Sequence, residues 1–182
     1  MKDTTIQIKK VTLKDLEKAG IKVSDYAKGL LEKTTFKKEE VNLVVKTVAE
    51  LGLRNGGTLQ EIYTKAKEQG LELCPASVGP NLRMAYKDQP LNEWLWIAME
   101  PISDRDGFPR VFELACRGGG LWLRGIWATP DSRWPSDYVF VFRLRKSLKS
   151  LDSSDSSLDP LILDRLESLE SDMAKLKKLI NL

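Results

Sequence analysis

The chain has 182 residues, with 29 Lys and Arg against 26 Asp and Glu for a net charge of +3, no histidine and two cysteines. A chain of this size buries about 70% of its unfolded surface, enough for one self-sufficient core. Without histidine there are no Ser-His or Cys-His nucleophile pairs and no imidazole metal ligand, and Cys74 and Cys116, in no CxxC pattern, leave a zinc site short of ligands.

In chain order, Thr4 to Val11 reads as a strand. Thr12 then caps a helix from about Leu13 that stops at Gly20, and Ser24 caps a second with Tyr26, Ala27, Leu30 and Leu31 at helical spacing. The Val-rich run Val41 to Leu51 reads as a strand, although its Lys, Ala and Glu also suit a helix. Thr58 and Glu61 form a capping box for a helix running to about Gln69, with Gly70 as its stop. For Val78 to Lys87 the pattern does not choose between helix and strand.

From Glu93 onward the signal changes to four short apolar runs, Trp94 to Ile102, Arg110 to Arg117, Leu121 to Ala128 and Tyr138 to Arg145. Asp106 and Gly107, then the triplet Gly118 to Gly120, supply hairpin turns, so the runs read as an antiparallel meander. Thr129 to Asp137, with two prolines, reads as a loop. The fold expected is therefore α+β: an antiparallel meander packed on N-terminal helices over residues 1–146. A flexible Ser/Asp-rich linker follows over 147–158, then a C-terminal amphipathic, coiled-coil-like helix over 159–182. Ile162, Leu166, Leu169, Met173, Leu176 and Ile180 keep alternating spacings of four and three along that helix, a heptad seam. A lone amphipathic helix of this length is marginal, so the stripe implies a homo-oligomer or a partner protein.

Charge is uneven along the chain. All 11 basic residues of positions 1–50 are Lys, whereas seven of the nine in 101–150 are Arg, the better planar donor to phosphate, carboxylate and aromatic faces. All five Trp lie in the meander and its loop. Alternation along each run puts Trp94 and Trp96 on one face, with Trp122 and Arg124 on the corresponding face of the third run and Arg143 and Arg145 on that of the fourth. Taken together with Glu113, these six residues make the candidate ligand or partner site, because Trp stacks planar groups and Arg adds charge-assisted contacts. The opposite face, carrying Leu121, Leu123 and Trp127, is expected to cover the helices. Nucleic acid enters as a partner on composition and alternation only, since no RNP, KH or zinc-knuckle pattern occurs.

Chemistry has a rival seat in the loop aspartates Asp104, Asp106, Asp131 and Asp137. A pair of them around a divalent ion would make a histidine-independent hydrolase or nucleotide-processing enzyme. Turn formation accounts for the same residues. The glycines before Thr58 match neither phosphate-loop spacing, so no cofactor is expected. The opening MKDTTIQIKK has no apolar stretch and no apolar run reaches about 18 residues, so neither a signal peptide nor a membrane span is expected and the cytoplasm is the expected compartment.

The stretches GLELCPASVGPNLRMAY, EWLWIAMEPI and GIWATPDSRWPSDYVFVFRLRK resemble small bacterial hypothetical proteins with no assigned activity, over about residues 41–146. The resemblance implies no catalytic or binding residue. It does imply that the linker and terminal helix are an added assembly module. The function expected is a non-catalytic cytoplasmic binding protein that oligomerises through its C-terminal helix.

Overall fold

Three helices begin where the sequence supplies a capping side chain. Thr12 and Asp15 form a reciprocal capping box at the start of α1 (Leu13–Lys18). Ser24 Oγ accepts from the Ala27 N–H and opens α2 (Asp25–Lys33). The Thr58 and Glu61 box opens α3 (Leu59–Glu68), each residue accepting the other's backbone N–H. The segment with the ambiguous pattern is helical, α4 (Val78–Ala85), and it buries Val78, Gly79 and Leu82.

A computed structural model describes residues 1–145, which form one compact unit. The expected linker and heptad helix, with Ile162, Leu166, Leu169, Met173, Leu176 and Ile180, lie outside the described residues. The strands are β1 (Thr4–Gln7), β2 (Lys22–Val23), β3 (Glu40–Thr47), β4 (Gly57–Thr58), β5 (Leu71–Glu72), β6 (Trp94–Ile97), β7 (Ile102–Ser103), β8 (Pro109–Arg117), β9 (Gly120–Trp127), β10 (Arg133–Trp134) and β11 (Val139–Leu144). Nine of them make one sheet in the order β1-β3-β11-β6-β8-β9-β2, with β5 beside β11 and β7 beside β8. The fold is thus α+β with a mostly antiparallel sheet.

Two expectations need correction. The meander holds for β6, β8 and β9, but β11 does not follow β9 in space. It crosses the sheet to lie antiparallel to β3 and parallel to β6. Pairing to β3 over five register positions, against two to β6, places the last strand. The second correction concerns the Pro-containing link: it holds β10, which pairs with β4 beside the α3 cap.

Two glycines let helices sit on one face of the sheet. A Cβ on Gly79 in α4 would stand 2.6 Å from the Phe112 ring, and one on Gly125 in β9 would stand 3.0 Å from the α2 backbone at Ala27. Phe112 and Gly125 are cross-strand partners, so both helices cover the same side, here termed the helix face. The core is continuous, running through Leu30, Leu82, Leu95, Phe112, Leu114, Leu123 and Val141.

Candidate functional site

Register decides which of the predicted residues share a surface. Trp94 pairs with Ala115 and Trp96 with Glu113, while Ala115 pairs with Trp122 and Glu113 with Arg124. Those residues therefore occupy one face in two adjacent rows, as alternation predicts. Phe140 of β11 pairs with Trp96, which puts Phe140 and Phe142 on that tryptophan face and turns Arg143 to the other. The expectation that Arg143 and Arg145 join the tryptophans is corrected accordingly. Alternation fixes parity within a strand, and the phase between strands is set by a pairing the sequence does not announce.

The two rows differ in character. At the β11 end the face closes over. Trp96 stacks on Tyr138 with centroids 4.3 Å apart and planes within 7°, and Trp134 from β10 meets it edge-on at 5.7 Å. Trp96, Trp134, Phe140 and Phe142 are buried, so this end is core. Along the row of Trp94, Ala115 and Trp122 the face stays open at both tryptophans. Trp94 is 40% exposed and Trp122 is half-buried. Lys22 Nζ and Arg117 Cζ lie 5.3 and 5.4 Å from the Trp122 ring centroid, a cation–π arrangement on both counts. Lys22 reaches that ring because β2 pairs in parallel with β9 at Trp122.

Arg124 adds a third cation, held by a 2.7 Å bond to the buried Glu113 carboxylate. Burial pushes the Glu113 carboxyl up, while Arg124 and Arg117 pull it down. The open part of the face thus carries Trp94, Trp122, Lys22, Arg117 and Arg124, with Glu113 beneath. Lys22 and Arg117 are the members that sequence reasoning missed. The cross-strand partner of Lys22 is not legible in sequence, but Arg117 stands two residues beyond Ala115 on the same face and was readable there.

Arg143 and Arg145 instead converge on Glu72 of β5, at 3.0 and 3.2 Å. Arg145 and Glu72 belong to an open groove of about 570 Å³ that Tyr63, Lys67 and Glu100 also line. Tyr63 Oη donates to the Met99 carbonyl and accepts from the Met99 N–H, and burial drives its hydroxyl pKa up.

Asp104, Asp106 and Asp131 are engaged within their own loops. Asp104 accepts from Arg110 Nε at 2.5 Å and from the backbone N–H groups of Asp106 and Phe108, and Arg110 holds its carboxyl below the usual range. Asp131 is likewise lowered, by Thr129 within its own turn. Among the described residues no three His, Cys, Asp or Glu side chains converge in a metal-holding group. Cys74 is buried and Cys116 partly so, both as free thiols. Among the described residues no helix is long and apolar enough to cross a membrane.

Trp127, expected to cover the helices, is 53% exposed at the end of β9. It belongs to a second aromatic cluster, which the sequence did not reveal. Arg110 Cζ lies 3.4 Å from the Tyr26 ring centroid and 5.9 Å from that of Trp127, and Phe108 packs 4.9 Å from Trp127. Compared with known proteins, the chain matches no family model, no curated protein and no solved structure.

Proposed function

We propose that this is a non-catalytic binding protein of the bacterial cytoplasm that takes a planar, anionic ligand on the open part of its tryptophan face and assembles through its C-terminal heptad helix. The observation that carries the reading is the approach of two cations, Lys22 and Arg117, to the Trp122 ring, with the half-exposed Trp94 in the same cross-strand row. Indole faces stack flat rings, and Lys22 and Arg117 supply positive charge for a phosphate or carboxylate on the same ligand, with the Glu113-paired Arg124 beside them. A nucleotide, free or within a single strand, combines those two chemistries. Arg143 and Arg145 are left out of this site because Glu72 engages them.

Adenosine 5′-monophosphate is a direct probe. Its addition should quench part of the tryptophan emission saturably, and Lys22→Ala with Arg117→Ala should weaken that effect about tenfold or more, since two charge-assisted contacts are lost. An unaltered titration in the double variant would remove the site. For assembly, the mass in solution of the full chain should fall when Leu166 and Leu169 are replaced by Asp. An unchanged mass would exclude the heptad as the assembling element.

A further inference from the structure

The second aromatic cluster is independent of the proposed ligand site, and we propose that it docks a proline-rich peptide in the polyproline II conformation. Tyr26, Phe108 and Trp127 are 40, 45 and 53% exposed. About half of three aromatic side chains amounts to apolar surface on the order of 300 Å², the size at which a patch on a monomer is commonly functional. A stable interface between folded partners needs roughly 800 Å² a side, which this cluster does not approach. A short extended peptide fits it better than a second copy of the chain.

The chemistry narrows the peptide further. Arg110 is buried and spent on Asp104, whose carboxylate also caps its own loop through Asp106 N–H and Phe108 N–H. The guanidinium is therefore a fixed shelf between Tyr26 and Trp127 and offers no free charge. Near it Lys28 pairs with Asp25 and Arg105 with Asp106, and Lys33 Nζ donates to the Ser103 carbonyl. What the surface presents is ring faces and two donors, Tyr26 Oη and Trp127 Nε1. A polyproline segment is the complement: its rings are apolar, it has carbonyl acceptors, and each proline lacks an N–H that would need a partner. Its backbone is already extended, so little entropy is lost on docking. Tyr26 and Trp127 flank one guanidinium carbon at 3.4 and 5.9 Å, which spaces their rings by no more than about one polyproline turn, roughly 9 Å.

The test is a titration of the full ¹⁵N-labelled chain with a decaproline peptide, following its five indole N–H signals, with Trp127→Phe to assign one of them. The expected result is a saturable shift confined to Trp127 and unchanged by added salt, because no net charge is engaged. Tyr26→Ala should weaken binding about tenfold at a temperature where its cooperative melt shows it still folded, and Tyr26→Phe, which removes only the hydroxyl, by a few-fold. No saturable shift, or one centred on Trp94 or Trp122, overturns the proposal. So does a Trp127 signal that moves with protein concentration alone, since that would assign the patch to a second copy.

Discussion

Arg124 on β9 and Glu113 on β8 are direct cross-strand partners joined by a 2.7 Å ion pair in which the carboxylate is buried and the guanidinium partly open to solvent. This pair sits one row from Trp94 and Trp122 and fixes one of the cations of the proposed site. Desolvation is the largest influence on Glu113, so its folded pKa lies above the ordinary 4.5. The folded state then holds a proton that the unfolded state releases, and stability falls as pH rises from about 4.5 through the raised folded value. Glu113→Gln removes this slope and keeps a hydrogen-bond acceptor for Arg124. Its melting temperature relative to the unsubstituted protein should rise between pH 4 and pH 7. A difference that is flat with pH would contradict the raised carboxyl.

Gly79 and Gly29 are both helical glycines, yet opposite outcomes are expected from alanine. A Cβ at Gly79 runs into the buried Phe112 ring at 2.6 to 2.8 Å, and overpacking of this kind costs about 1–3 kcal/mol. At Gly29 nothing lies within 4 Å of the added methyl, so the gain in helix propensity of roughly 0.5–1 kcal/mol appears alone. Thermal melts of the two variants separate the effects by sign.

Arg83 is fully buried, donating to Gln89 Oε1 and the Tyr86 carbonyl, and burial pushes its pKa down to about 10. Gln89 in turn donates to the Glu93 and Leu114 carbonyls, so the arginine pins the end of α4 to β8 through that chain. Arg83→Ala leaves a cavity and two unpaired acceptors, with an expected loss of about 3–5 kcal/mol in denaturant unfolding. Arg83→Met fills the space and should recover part of it. Equal losses in both would mean that the hydrogen bonds, not the volume, carry the effect.

Trp94 and Trp96 stand two residues apart in one strand and should respond differently to alanine. Trp96 lies in the stack with Tyr138 and Trp134, and its removal should cost about 3–5 kcal/mol. Trp94 is 40% exposed, and its loss should stay within about 1 kcal/mol. A severe loss at Trp94 would place it in the core and close the proposed site.

The sequence carried the local structure of this fold and much less of its long-range pairing. Thr12, Ser24 and Thr58 announced three helix starts because capping is written within three or four residues. The β6, β8 and β9 hairpins were legible from Gly-containing turns for the same reason. The position of β11 was not, because its neighbours β3 and β6 are distant in sequence and parallel pairing needs no turn signal. That one strand moved Arg143 to the helix face and brought Phe140 beside Trp96. The cluster of Tyr26, Phe108, Arg110 and Trp127 was hidden similarly, since a helix, a hairpin and the end of a third strand must meet before it exists.

The measurement that bears most directly on the proposed function is a fluorescence titration of the full chain with a ten-residue oligothymidylate, for the unsubstituted protein and for Trp94→Ala with Trp122→Ala. Stacking on both indoles predicts a saturable quench that weakens steeply with salt, and at least a tenfold loss of affinity in the double variant at a temperature where its cooperative melt shows it still folded. Equal affinity in the two proteins, or no quench at any salt concentration, would contradict ligand binding on the tryptophan face.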